Sequence, residues 1–145
     1  MRDENLADVL ENRLIDFAVR VINLADALPG SPAGRHVSGQ ILRCGTSPAP
    51  NYAEARGAES RADFVHKLKV ALKELNETSV WLRVICRSKL LKPELLVPLV
   101  EENQQLSRIL HASISTAKGT RINGAGKPTD EQDPASDEEL PSNDQ

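Results

Sequence analysis

Leu10, Leu14, Phe17, Val21, Leu24 and Leu28 recur at alternating spacings of four and three residues, with Ile15, Ala18, Ile22 and Ala25 alongside. That spacing places an apolar stripe along one side of a helix, the pattern of a bundle helix that buries one face. Pro29-Gly30-Ser31-Pro32 ends the stripe, because proline cannot continue the hydrogen-bond ladder and glycine tolerates a left-handed turn. Four punctuating residues imply a tight reversal and an antiparallel neighbour.

Three further segments follow. Residues 33–58 are helical in pattern through Val37, Ile41 and Cys44, but Pro48 and Pro50 interrupt them. In one reading Gly45 closes a helix and Ser47 caps the next, with both prolines in its first turn, where a missing N–H costs little. In the other, favoured here, one bundle arm runs through with a marked kink near Ser47, and packing offsets the cost of the prolines. Ser60 and Asp63 open the third segment with capping-box spacing. Phe64, Leu68, Ala71, Leu75, Thr78, Leu82 and Ile85 then repeat at heptad spacing and predict the longest helix, over about 61–91. Pro93 suits the first turn of a fourth helix with a stripe of Leu95, Leu99, Leu106, Ile109 and Leu110, and Pro98 falls near the end of that turn.

At 145 residues the chain has room for one ordinary domain, and aromatics make up only 3%, so Leu, Val, Ile and Ala must fill the interior. The expected architecture is all-α: an antiparallel up-down four-helix bundle over residues 1–118, followed by a disordered acidic tail over 119–145. The tail carries two basic and seven acidic residues, a net charge of −5, which leaves +2 on residues 1–118. It holds almost nothing apolar and cannot bury enough surface to order itself. The nearly neutral body lacks the strongly basic footprint that nucleic-acid binding normally leaves. The first residues have neither a basic start nor an apolar core of a secretion signal, and no apolar run reaches the ~18 residues of a membrane span. A cytoplasmic location with no membrane contact is expected. Cys44 and Cys86 lie inside helix-like segments, where thiols act as small buried hydrophobes rather than as a disulfide or metal pair.

From Gln40 the chain reads Gln-Ile-Leu-Arg-Cys-Gly-Thr-Ser-Pro-Ala-Pro-Asn-Tyr-Ala-Glu-Ala. With Leu28-Pro29, Asp63-Phe64, Ala71 and Glu77, this resembles the four-helix bundle proteins known as 23S rRNA intervening-sequence proteins, over about residues 10–115. The matching positions are Gln40, Arg43, Ser47, Asn51, Ala53 and Glu54. Pro48 and Tyr52 stand where that family usually has aliphatics, Pro50 is unusual, and Ala55 replaces a common glycine. The resemblance implies a four-helix bundle that often assembles into a ring-like homopentamer, with no agreed enzymatic activity. One related branch, the accessory variability protein of diversity-generating retroelements, binds nucleic acid and a reverse transcriptase, but is typically strongly basic.

Three sets of residues stand out as candidate sites. Arg43, Asn51, Glu54 and Glu77 lie among apolar positions of the second and third helices, and are expected to form an interhelical polar network that sets packing register rather than a ligand pocket. Arg56, Arg61, Lys67, Lys69 and Lys73 cluster where the second helix ends and the third begins; interspersed carboxylates make a solvated face the preferred reading over phosphate contact. Trp81 lies off the main stripe, where an indole can anchor an interface. Arg61 and His66 match the Arg-x4-His spacing of a family of helical ribonucleases, but stand ~140° apart on a regular helix. His36, His66 and His111 show no paired ligand spacing, and no glycine-rich phosphate loop opens a helix, so no metal or cofactor is expected. The expected role is therefore that of a non-enzymatic, oligomeric interaction or scaffold protein. The alternative is a nucleic-acid-binding accessory factor with an RNA or reverse-transcriptase partner.

Overall fold

A computed structural model describes residues 5–119; apart from Gly119, the predicted acidic tail lies outside the described residues. Five α-helices follow one another: α1 (Leu6–Ala27), α2 (Pro32–Thr46), α3 (Pro48–Arg56), α4 (Arg61–Arg87) and α5 (Pro93–Ala117). Helices α2 and α3 together make one arm. α1 packs on that arm and on α5, and α4 packs on the same arm and on α5. The result is the up-down four-helix bundle that the short connections imply.

The starts of α1, α2 and α4 follow capping chemistry. Asn5 accepts from the Ala7 N–H at 2.9 Å, Ser31 Oγ from the Gly34 N–H at 3.1 Å and Ser60 Oγ from the Asp63 N–H at 3.1 Å, each satisfying an N–H that has no partner within its helix. The end of α4 is less conventional. Lys89 has φ 58°, its N–H bonds the Cys86 carbonyl, and the Leu90 N–H reaches back to Ile85. This is a Schellman ending with lysine at the left-handed position usually held by glycine. It stops α4 at Arg87, four residues before the predicted end. Lys89→Gly is expected to stabilise the fold by about 0.5–1 kcal/mol, because the relief of left-handed strain exceeds glycine's entropy cost. Denaturant titration reads this as a higher midpoint at unchanged slope.

The kinked arm is resolved at Ser47. Its φ of −70° and ψ of −35° stay helical, and its side chain makes no cap bond to α3. The chain thus bends without leaving helical geometry, and Pro48 and Pro50 fall in the first turn of α3, where their missing N–H groups cost least. Gly45 does not close a helix. It is buried in α2, and a Cβ there would lie 2.7 Å from a methyl of Val21, so its lack of a side chain lets α1 and α2 approach closely.

The stripe of α1 is buried at every predicted position from Leu10 to Leu28, and Val37, Ile41 and Cys44 are buried in α2. In α4, Leu68, Ala71, Leu75, Thr78, Leu82 and Ile85 are all buried, while Phe64 is only partly buried and Val65 takes the inner position. The stripe of α5 requires correction. Leu96, Leu99, Asn103, Leu106, Leu110 and Ile114 face inward, whereas Leu95 is 58% exposed. Passing over a polar residue shifted the apparent phase, and Asn103 is that residue. Pro98 lies inside α5 rather than closing its first turn, on an exposed position where water can satisfy the carbonyl its ring leaves unpaired. Cys86 is likewise exposed, contrary to expectation, while Cys44 is buried.

Candidate functional site

The residues predicted to form one polar network form separate contacts, two along the seam between the α2–α3 arm and α4 and one within the arm itself. Arg43 donates to Glu77 at 2.5 Å and to Glu74 at 3.4 Å. Glu54 accepts from Lys67 at 2.7 Å. Asn51 turns inward on its own arm: its Nδ2 donates to the Ser47 carbonyl at 3.0 Å and to the Ser47 hydroxyl at 2.8 Å, bracing the kink. Arg43 and Glu54 both bond α4 despite the bend at Ser47 between them, but eleven residues of helical rise separate them by ~16 Å along the arm. The pairs are also surface features, with the Arg43 and Glu77 side chains 53% and 40% exposed. They orient the arm against α4 and contribute little stability through solvent-screened charge.

The basic cluster divides in the same way. Arg56 points to α1, where it bonds Asp8 at 2.8 Å and Glu11 at 3.3 Å, and Lys67 is held by Glu54. Donating hydrogen bonds to Asp8, Glu54 and Glu77 holds Arg56, Lys67 and Arg43 above their ordinary pKa values, against the lowering effect of desolvation. Arg61, Lys69 and Lys73 are exposed on α4. Trp81 is partly buried against the core, with its ring edge-on to His36 at a centroid distance of 6.0 Å, so most of its packing is internal. His66 and Arg61 are both exposed on the first turns of α4.

Three features escaped the sequence reading. Asn103 is 2% exposed and donates from Nδ2 to the Leu75 carbonyl of α4 at 3.1 Å, locking the register of α5 against α4. Its position in the 99, 103, 106, 110 series was a usable signal. Arg13 joins Glu102 and Gln105 across the α1–α5 seam, with apolar grooves on either side. One groove is lined by Leu24, Leu95 and Leu99, the other by Leu6, Val9, Leu10 and Ile109. Third, Ile15, Val19 and Ile22 form an i, i+4, i+7 stripe on the outside of α1, each between 43% and 50% exposed. Among the described residues no group of three His, Cys, Asp or Glu side chains is placed to hold a metal ion. The Cys44 thiol, pushed up to about 11 by burial, stays protonated at neutral pH.

Residues 10–112 match the family described as 23S rRNA-intervening sequence protein. The chain belongs to that family. A solved structure agrees with this assignment: a protein with unknown function from the S23 ribosomal protein family of Bacteroides thetaiotaomicron VPI-5482 superposes with a TM-score of 0.69 at 37% identity, covering 72% of this chain and 97% of that one. No curated protein matches. In this intervening-sequence protein the match spans all four arms and ends before the acidic segment. No helix among the described residues is long and apolar enough to cross a membrane.

Proposed function

We propose that this intervening-sequence protein is a non-enzymatic scaffold of the cytoplasm that works as a homo-oligomer and presents its outer surface to a protein partner. What carries this reading is the outer stripe of α1. Ile15, Val19 and Ile22 stand at helical spacing with almost half of each side chain in water, although the inner face of the same helix is fully used by the core. On α4, Val80 and Val84 are exposed as well. Apolar area of this kind in a small bundle favours association. The intervening-sequence resemblance suggests a pentamer. Trp81, packed from the side by His36, contributes at the rim of such a surface, and the weight of the contact moves to α1.

Size-exclusion chromatography with light scattering tests this. The wild-type chain is expected to elute as a multiple of its monomer mass, and Val19→Glu to shift it to monomer with the helical circular dichroism unchanged, because the position is exposed. Trp81→Ala is expected to weaken the oligomer less. A wild-type monomer at high concentration sinks the proposal. The nucleic-acid reading loses Arg56 and Lys67 to ion pairs with α1 and α3, which leaves it a smaller surface than the five cations first implied.

A further inference from the structure

Asp8, Asn12, Ile15, Val19, Ile22 and Asp26 are all exposed on α1 and follow one another at steps of four and three. At that spacing they form one straight row, with three aliphatics at its centre and a carboxylate at each end. Asp16 stands beside the row and is exposed as well. The two cations of α1 lie on its other flank, Arg13 in the seam with α5 and Arg20 in the groove lined by Leu95 and Leu99. The outer face of α1 is therefore an apolar strip with an acidic margin.

Helix α4 carries the reverse arrangement. Val80 and Val84, 47% and 37% exposed, lie one turn apart, and Lys73, Arg83 and Arg87 stand exposed around them. Glu77 is beside the valines but is bonded to Arg43 at 2.5 Å, and Asp63 lies ~25 Å away along the helix axis. Asp16, Asp26, Lys73 and Arg87 enter no ion pair among the described residues. Helices α1 and α4 each pack on the α2–α3 arm and on α5 but not on one another, so the two faces occupy opposite corners of the bundle. A second copy's α1 laid on the strip would set Asp16 and Asp26 against carboxylates of the same kind. Its α4 face would cover the aliphatics with Val80 and Val84 and set cations against those carboxylates. Resting on the reading of this chain as a homo-oligomer built through α1, we infer that the α1 strip of one copy docks on the Val80 and Val84 face of α4 of the next. Such a contact is heterologous: each copy keeps its other face free for a third, so association does not stop at a dimer.

The test mixes two single variants of the full chain, Val19→Glu with a blocked α1 face and Val80→Glu with a blocked α4 face, and follows mass by light scattering at a concentration where the wild-type chain is oligomeric. Both positions are exposed, and helical circular dichroism and melting temperature equal to wild type show that each variant is folded. Each alone is expected as a monomer. Their equimolar mixture is expected at twice the monomer mass, because the intact α4 face of one meets the intact α1 face of the other, while the two blocked faces repel as acids. Ile15→Glu with Val84→Glu repeats the experiment at independent positions, so a variant that fails to fold is replaced. A mixture of folded variants that stays monomeric overturns the pairing of α1 with α4. So does a wild-type mass retained by both Val80→Glu and Val84→Glu. A Val80→Glu dimer that mixing leaves unchanged overturns it too and assigns the strip to α1 of the second copy. These results leave the homo-oligomer standing, whereas a wild-type monomer removes both readings.

Discussion

Asn103→Asp lowers the stability of the bundle by about 3 kcal/mol or more at pH 7, and the loss shrinks as the pH is lowered. Asn103 is buried at 2% exposure and its Nδ2 donates to the Leu75 carbonyl. Aspartate keeps the shape but, once ionised, sets an unpaired charge against a carbonyl oxygen in a dry seam, a change typically worth 3–5 kcal/mol. Burial disfavours the charged form, so the carboxyl's folded pKa is raised above its unfolded value of ~3.9. The sign follows from linkage: the folded state binds the proton more tightly, so the deficit is absent below the unfolded pKa and grows as pH rises toward the folded one. Near pH 4 and below, the neutral acid donates its O–H to Leu75 and the variant approaches wild type. The measurement is the difference in unfolding free energy between variant and wild type across pH 3.5–8, which cancels the acid sensitivity they share. A difference that does not move with pH means that the side chain reaches water and that Asn103 does not set register. Asn103→Leu, similar in volume and apolar, is expected to stay within about 1.5 kcal/mol of wild type.

That single residue also explains where the sequence was readable and where it was not. The α1 stripe was legible in full because every inward position is apolar and Pro29-Gly30 marks its end. On α5 the inward series passes through a polar residue. Counting apolar residues alone therefore favoured Leu95 over Leu96 and missed a side chain, Asn103, that ties α5 to α4 by a hydrogen bond. The paired charges were not legible in grouping: Arg43 and Glu54 both bond α4, a direction that the kink between them left open, and they stand too far apart along the arm to share partners. The kink at Ser47 was legible from two prolines. The role of Gly45 was not, because nothing in its own helix requires glycine; the requirement comes from Val21 on α1. Surface features gave the weakest signal. Ile15 and Ile22 read as companions of the core stripe, and only the placement of the α2–α3 arm leaves them facing water.

The turn between α1 and α2 supplies the second large effect. Gly34→Ala is expected to destabilise the fold by about 3 kcal/mol and to lower the melting temperature by roughly 10 °C. A Cβ at Gly34 would lie 1.9 Å from the Pro29 carbonyl oxygen and 2.8 Å from its carbon. These are backbone atoms with no rotamer to relax into, so the turn itself must open. Opening it strains the bond from the Gly34 N–H to Ser31 Oγ, whose loss alone costs about 1 kcal/mol as a helix cap. It also displaces Leu28, the last buried residue of the α1 stripe. Against this stands a gain of up to about 1 kcal/mol from replacing glycine within a helix, too small to change the sign. The effect is distinguishable from ordinary overpacking by comparison with Gly45→Ala, where the added Cβ meets the Val21 side chain. There Val21→Ala should relieve the clash, so the two changes together cost less than their sum, whereas no side-chain truncation at position 29 can move a carbonyl oxygen. A Gly34→Ala variant that melts with wild type would mean that the Pro29 carbonyl does not rest on α2, and the tight reversal that makes α1 and α2 antiparallel neighbours would need a different explanation.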